Sequence, residues 1–179
     1  ALINMPMPAG AAGNDGSTEQ FALGVSSDAD LATALSNTAV KYIRIEGTFS
    51  SSIPTWQGAQ GEKVILGTTG KTLHLPSPTP SNRDGCFISS DTTFKNIDLA
   101  GINIYAQGNR LIFDEGVTGN VANIFGGSYN SACNSDTYLK IMSGSFNTIC
   151  GGSWQDDVNG STYVEIGGAA KQVNNSASE

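Results

Sequence analysis

Two aromatic residues, Tyr129 and Trp154, each follow a Gly-Gly-Ser triplet and lie 25 positions apart. An aromatic ring offers a large, rigid apolar surface with a polar edge, which suits contact with sugars or peptides. The preceding glycines bring no side chains of their own, so each ring is expected to border a shallow shelf. The pattern predicts a ligand-binding platform for carbohydrate. The alternative is that each ring packs over the glycine gap and protects it.

A second candidate set comprises Arg110, Tyr138 and Tyr163, each of which directly precedes an apolar strand-like residue. Side chains alternate along a strand, so these three are expected to point outwards together. A guanidinium can lie on an aromatic ring, and a row of rings can accept a sugar or a peptide. The alternative is a ladder that only stiffens an exposed sheet. Lys140 and Glu165 are expected to form an opposite-charge pair beside it.

The best acidic candidates for catalysis are the pairs Asp114-Glu115 and Asp156-Asp157. A glycosidase needs two carboxylates flanking one bond. Each of these pairs instead lies in a turn-like segment, where acidic residues are common for turn chemistry alone. The single histidine, His74, alternates with leucines and is expected to be solvated. We therefore assign no catalytic residue.

Three cysteines, Cys86, Cys133 and Cys150, are too far apart in sequence to form a metal motif. Cys133 and Cys150 are expected on adjacent turns and can pair, but the direction of their side chains is not set by the sequence. The alternative is that all three are small buried apolar residues. No metal site and no cofactor are predicted.

The elements that position these residues belong to an internal repeat. Residues 124–129 return as 149–154, and residues 137–141 return as 162–166, each with an offset of 25. A fixed period of this size, built of short strand-like runs and glycines, is typical of a stacked coil. The chain is therefore predicted to be all-β, a three-sided parallel solenoid of about six turns. An antiparallel sandwich with turns at Asp84-Gly85 and Asn159-Gly160 does not explain the repeat.

Three columns of apolar residues are expected inside the coil, one on each side. The members of these columns are Ile43, Val64, Phe87, Leu111, Leu139 and Val164 for the first, Leu73, Ile97 and Val121 for the second, and Ile104, Ile124 and Ile149 for the third. The steps along the first column are 21, 23, 24, 28 and 25 residues, which fits one turn each with insertions at a corner.

The chain is expected to comprise a flexible lead-in at residues 1–18 and a single β-helix domain at 19–179, as a segment of a longer protein. A helix at about 27–37 is predicted to cap the first turn. Ser27 or Asp28 can cap its N-terminus, and Leu31, Ala34 and Leu35 form one apolar face. Such a cap covers a sheet edge that would otherwise be unpaired.

The pattern of residues 123–130, 148–154 and 166–168, with further support at 94–99 and 108–111, resembles the right-handed parallel β-helix of the pectin-lyase-like superfamily. More narrowly, it is similar to Gly-Gly-rich β-helical repeats of secreted and cell-surface proteins of Gram-positive bacteria. The resemblance implies a right-handed coil and an extracellular or cell-surface location in a bacterium. The resemblance also makes polysaccharide lyase or glycoside hydrolase activity a hypothesis to consider, since many members of the superfamily are such enzymes.

The composition excludes some classes of binding partner. A net charge of −7 with only 14% charged residues argues against nucleic acid and anionic membrane surfaces. No apolar run is long enough to cross a bilayer, so no membrane insertion is expected. No signal peptide is visible at Ala1, so a secreted protein would be represented by its mature or cloned part.

The preferred hypothesis is a non-catalytic extracellular module that is adhesin-like or binds a polysaccharide or a host or cell-wall glycan. The first alternative is a structural spacer that propagates a rod, with self-association through the C-terminal end of the solenoid. The second alternative is a polysaccharide lyase or glycoside hydrolase of the pectin-lyase-like fold.

Overall fold

The computed structural model describes residues 13–77 and 85–172. The elements, in chain order, are β1 Leu23–Val25, α1 Asp28–Ser36, β2 Tyr42–Ile45, β3 Phe49–Ser50, α2 Ile53–Gln57, β4 Lys63–Leu66, β5 Thr72–His74, β6 Cys86–Phe87, β7 Thr92–Lys95, β8 Asp98–Tyr105, β9 Arg110–Phe113, β10 Thr118–Phe125, β11 Thr137–Ile141, β12 Ser145–Phe146, β13 Thr148–Cys150, β14 Thr162–Ile166 and β15 Lys171–Gln172. None of the helices in the described ranges is long and apolar enough to span a membrane.

The strands form a parallel solenoid of about six turns, as the repeat predicts. The first sheet has seven strands in the order β1-β2-β4-β7-β9-β11-β14. The second follows the order β13-β10-β8-β5-β3, with β6 also paired to β8, and β12 and β15 form a short third sheet. Every strand pair within the described ranges is parallel, which excludes the antiparallel sandwich.

Part of the first apolar column is confirmed and part is wrong. Leu111, Leu139 and Val164 are in register on β9, β11 and β14. Ile43, however, aligns with Ile65 rather than with Val64. Val64 and Ile65 are adjacent and equally apolar, so a one-residue choice of register rests on packing alone.

Phe87 was expected in this same column, and that prediction is wrong. Phe87 pairs with Tyr105 in the second sheet. The strand that follows β4 in the first sheet is β7, where Phe94 lies between Ile65 and Phe113. Two short apolar segments occur within one turn at this point, and both are compatible with a strand next to β4.

The third column is confirmed, because Ile104, Ile124 and Ile149 are in register. In the second column Leu73 aligns with Leu99 instead of Ile97. The two columns are also continuous, since β8 and β10 each run through eight residues. Burial along β8 changes phase near Ile102, which is exposed, so these strands bend round a corner there. The pairing of Gly101 with Val121 and of Asn103 with Asn123 keeps the same register on both sides of it.

The predicted capping helix is confirmed. The Ser27 side chain accepts from the Asp30 amide at the N-terminus of α1, and Leu31, Ala34 and Leu35 are buried against the first turn. Strand β1 and the short helix α2 were not expected. Residues 1–12 of the predicted lead-in lie outside the described residues, and at Gly16 the backbone oxygen accepts from the amides of the residues at 41 and 42.

A buried lysine secures the cap to the coil. Lys63 is fully buried, and its ammonium donates to the carbonyl oxygens of Ala34, Asn37 and Val40 at the end of α1. The oxygens of Ala34 and Asn37 also accept from the amides of Asn37 and Val40, so the ammonium is a second donor to each of them. A cation at a helix C-terminus is favourable. Burial lowers the pKa of Lys63, while the three carbonyl oxygens favour its charged form.

We expect Lys63→Met to lower the free energy of unfolding by about 1–3 kcal/mol, because all three carbonyl oxygens lose the ammonium donor, and those of the buried residues Ala34 and Val40 have little access to water as a replacement. Urea unfolding followed by circular dichroism measures this change. Lys71→Met is the matched control, since Lys71 is exposed. Equal unfolding midpoints for the two variants would contradict the role given to Lys63.

Candidate functional site

A change in loop length between successive turns creates a groove on the side of the coil. The connection between β8 and β9 has only four residues, 106–109, whereas those from β10 to β11 and from β13 to β14 have eleven, 126–136 and 151–161. We call these two long connections the paired excursions. They carry Tyr129 and Trp154, the residues that the repeat singled out.

The paired excursions stack in register. Tyr129 forms a parallel bridge with Trp154, and Cys133 forms one with Val158, so the predicted pairing of the two aromatic residues is confirmed. Between the side chains, Asn159 Nδ2 donates to Asn134 Oδ1 over 2.7 Å. The excursions are therefore an ordered continuation of the coil, and their aromatic residues have defined positions.

Gly127 allows this close stacking. A Cβ at Gly127 would lie 2.1 Å from the Ser153 side-chain oxygen and 3.0 Å from its backbone nitrogen. The Ser153 hydroxyl also accepts from the Ser128 amide over 2.9 Å. The expectation of an open shelf beside this glycine is wrong, because the next repeat fills that space. Among the described residues, a Cβ at the equivalent Gly152 would meet only the Cys150 sulfur, at 3.7 Å.

An aromatic stack on the outer face of the second sheet supports the groove. Phe87, Tyr105 and Phe125 are in register, with ring centroids 5.6 and 5.1 Å apart and interplanar angles of 25° and 12°. Trp154 meets Phe125 edge-on at 5.7 Å, and Tyr129 is tilted against Tyr105 at 5.4 Å. Edge and offset contacts of this kind are the favoured geometries of aromatic pairs, and they fix the orientation of the Trp154 ring.

The groove has a volume of about 360 Å³. The residues that line it come from the corner of β8 and β10 and from the paired excursions: Ile102, Asn103, Tyr105, Asn123, Tyr129, Trp154 and Gln155. Trp154 and Ile102 are the most exposed apolar members, at 44% and 46%. The lining thus comprises an open indole, two tyrosines, an aliphatic side chain and three amides, with no Asp, Glu, Lys, Arg or His among the described residues that form it.

Two of the amides form a ladder across the corner. Asn123 Nδ2 donates to Asn103 Oδ1 over 2.9 Å. Within the described ranges, this bond leaves Asn103 Nδ2 as a donor and Asn123 Oδ1 as an acceptor without a protein partner. The pair therefore presents a donor and an acceptor side by side at the edge of the groove.

The sequence reasoning missed the amides of the groove. A signal for two of them exists, since Asn103-Ile104-Tyr105 returns as Asn123-Ile124-Phe125 with an offset of 20. The predicted third column aligns Ile104 with Ile124 at this offset, but the asparagines that precede these two residues were not assigned to a site. Ile102 and Gln155 have no such signal, because only the bend of the strands and the path of the second excursion expose them beside Trp154.

The other predicted set lies on a separate surface, the outer face of the first sheet. The Arg110 guanidinium lies 4.5 Å from the centroid of the Tyr138 ring, and Tyr138 is in register with Tyr163. Lys140 and Glu165 form the expected ion pair at 3.9 Å. Arg110 also borders a smaller pocket of about 180 Å³ that shares no residue with the groove. The structure therefore confirms the ladder and separates it from Trp154.

In each of the two acidic pairs, the first carboxylate accepts a hydrogen bond from the backbone of its own turn. Asp114 Oδ1 accepts from the Glu115 amide, and Asp156 Oδ1 accepts from the Asp157 amide, both over 2.8 Å. His74 is exposed on β5, as expected. Within the described ranges, no three His, Cys, Asp or Glu residues are grouped to hold a metal ion.

The cysteines are free thiols. Cys133 is paired with Val158 and Cys150 is in register with Phe125, so the two do not share a ladder position. Burial raises the pKa of Cys86 well above its ordinary value. The alternative that all three are small buried residues is confirmed for Cys86 and Cys133, whereas Cys150 is only partly buried.

Comparison with known proteins gave no match to a protein-family model, to a curated protein or to a solved structure.

We expect Gly127→Ala to lower the free energy of unfolding by about 1–3 kcal/mol, since the new methyl group overlaps Ser153. Gly152→Ala is the matched control in the other repeat and is expected to change stability little. Thermal unfolding of the two variants measures the difference. A Gly127→Ala protein as stable as Gly152→Ala would show that the excursions are not closely stacked.

Proposed function

We propose that this chain is a non-catalytic, extracellular module of a bacterial surface or secreted protein, adhesin-like in role, which binds a polysaccharide or cell-surface glycan. The groove beside Trp154 is the proposed binding site. The observation that carries the proposal is the combination of an exposed indole with an amide donor and acceptor that have no partner among the described residues, in a lining whose described residues carry no charge.

The groove supplies both kinds of contact that a sugar needs. The ring C–H groups of a sugar form an apolar face that stacks on an aromatic surface, and its hydroxyl groups donate and accept hydrogen bonds. Trp154 provides the aromatic surface, and Asn103 and Asn123 provide the polar contacts. A volume of about 360 Å³ is at the lower end of the range for ligand pockets and suits a short stretch of glycan.

The groove is also rigid before any ligand binds. Trp154 is held by a backbone bridge to Tyr129 and by ring contact with Phe125, and the amides lie on paired strands. A preformed site loses little conformational freedom on binding, which favours affinity from a small contact area. Loops placed on a rigid scaffold are frequent locations of binding sites.

The resemblance of the Gly-Gly repeats to β-helical repeats of the pectin-lyase-like superfamily supports the proposed location and origin. Surface proteins of Gram-positive bacteria that contain such repeats act outside the cell. The net charge of −7 and the low content of charged residues fit an exposed module without nucleic-acid or membrane partners.

The ladder of Arg110, Tyr138 and Tyr163 is the second proposed contact surface for a glycan. In this ladder the Arg110 guanidinium lies on the Tyr138 ring, and the Tyr163 side chain is 54% exposed. The pocket of about 180 Å³ beside Arg110 is smaller than the groove and is lined by neither Tyr138 nor Tyr163, so we rank the ladder below the groove as a binding site.

Trp154 allows a direct test by fluorescence. The protein has two tryptophans, of which Trp56 is 1% exposed and Trp154 is 44% exposed, so acrylamide should quench Trp154 selectively. A bound glycan is expected to protect Trp154 from quenching. Trp154→Ala should weaken binding of soluble polysaccharide about tenfold or more, because the stacking surface is lost.

The control for this test is His74→Ala, which removes an exposed ring from the second sheet outside the groove and should leave affinity unchanged. Tyr163→Ala separates the two surfaces. Loss of binding in Tyr163→Ala, with full binding in Trp154→Ala, would move the site from the groove to the ladder. Absence of binding across a broad panel of polysaccharides would overturn the proposed function.

A structural spacer that propagates a rod is the second candidate, and strand β14 favours it. All five residues of β14 are exposed, and Val164 and Ile166, the counterparts of buried Leu139 and Ile141, are 45% and 55% exposed. An apolar strand edge of this kind accepts a further strand. The opposite edge of the sheet is covered by α1, so self-association through the β14 end is the expected mode.

We expect the protein to self-associate with rising concentration and the double variant Val164→Lys, Ile166→Lys to remain monomeric, because charged side chains on an edge strand oppose pairing. Sedimentation velocity measures both states. Thr33→Lys with Ser36→Lys adds the same charge to exposed positions of α1 and should not prevent association. A wild-type protein that stays monomeric at high concentration would contradict the role of β14.

A further inference from the structure

The charge of the groove restricts the ligands that it can hold. None of the described residues that line it is Lys, Arg, His, Asp or Glu, and the protein as a whole carries a charge of −7. A carboxylate brought against Trp154 would lose hydration without gaining a cationic partner. The surrounding negative potential would add a further cost. The groove is therefore unfavourable for acidic sugars.

The amide pair also favours hydroxyl groups over carboxylates. The bond from Asn123 Nδ2 to Asn103 Oδ1 leaves Asn103 Nδ2 as a donor and Asn123 Oδ1 as an acceptor towards the groove. The pair therefore matches two neighbouring hydroxyl groups, each of which can donate and accept. An ionised carboxylate can only accept. Placed at the same point, it would use the donor of Asn103 but would face the oxygen of Asn123 without a hydrogen between them.

The apolar members of the lining favour a saccharide with an unsubstituted ring face. Trp154 is fixed by its edge-on contact with Phe125, at an interplanar angle of 79°, and Ile102 is exposed on the neighbouring corner. Both surfaces are dehydrated at little cost by the C–H face of a sugar ring. A ring that lies on Trp154 would direct its edge hydroxyls towards the amides that line the same groove.

From these three observations we infer that the groove selects uncharged saccharides and discriminates against polyuronates, with Trp154 stacking on the sugar ring and the Asn103–Asn123 pair binding adjacent hydroxyls. This inference rests on the proposed function and names the ligand class of the same groove. The inference excludes pectin-type polysaccharides, which consist of uronic acids, as the preferred ligand of the groove.

The test compares neutral and acidic oligosaccharides of equal length. Calorimetric titrations at low ionic strength would use cellohexaose, mannohexaose and xylohexaose as neutral probes and hexagalacturonate as the acidic probe. At least one neutral probe is expected to bind, with the acidic probe about tenfold weaker or more. Trp154→Ala should abolish the binding of the neutral probe.

Asn103→Asp isolates the contribution of the amide pair. The new carboxylate still accepts from Asn123 Nδ2, so the ladder hydrogen bond is retained while the free donor is lost. Affinity for the neutral probe should fall about tenfold, while the thermal unfolding midpoint stays close to that of the wild type. His74→Ala is again the control and should bind as the wild type does.

Each result supports or overturns a specific statement. Trp154-dependent binding of hexagalacturonate that equals or exceeds that of every neutral probe would overturn the inferred selectivity and leave glycan binding intact. Failure of all four probes, with no binding in the broader polysaccharide panel, would overturn the proposed function together with this inference. An unchanged affinity of Asn103→Asp for the neutral probe would show that the amide pair does not contact the ligand.

Discussion

The parallel, in-register stacking of successive turns is the constraint on which this structure depends. Hydrogen bonding between parallel strands holds neighbouring turns about 4.8 Å apart, so each residue lies against its equivalent in the next turn. The interior is consequently a set of columns, in which Phe94 stacks on Phe113 at 5.4 Å and Phe113 meets Phe146 at 4.9 Å. The same spacing on the outside produces the aromatic stack and the amide ladder of the groove.

The requirement for in-register stacking restricts the strands strongly and the corner loops weakly. A turn must return to register, but the length of a connection at a corner is free, because a longer loop costs little additional closure entropy. The paired excursions use this freedom in two successive turns, and the short connection at 106–109 precedes them. The groove lies where these lengths change. A functional surface can thus be added to the coil without disturbing its core.

The two ends of the coil solve the problem of unpaired edges differently. At the first turn, α1 covers the coil and Lys63 binds the carbonyl oxygens at its end. At the other end, β14 exposes apolar side chains whose counterparts one turn earlier are buried. This polarity places the proposed contact with a further strand or a second copy at the β14 end, whereas the groove proposed for a glycan lies on the side of the coil.

The sequence alone determined the solenoid, its capping helix, the register of Leu139 with Val164 and the pairing of Tyr129 with Trp154, because an uninterrupted 25-residue repeat leaves a single way to stack two turns. Tertiary structure alone decided the register where the repeat is absent, as at Val64 and Phe87, since adjacent apolar residues fit either face until packing selects one. It also decided the groove itself. Ile102 and Gln155 lie beside Trp154 because of a bend in β8 and the path of a loop, and neither residue belongs to a repeat in the chain.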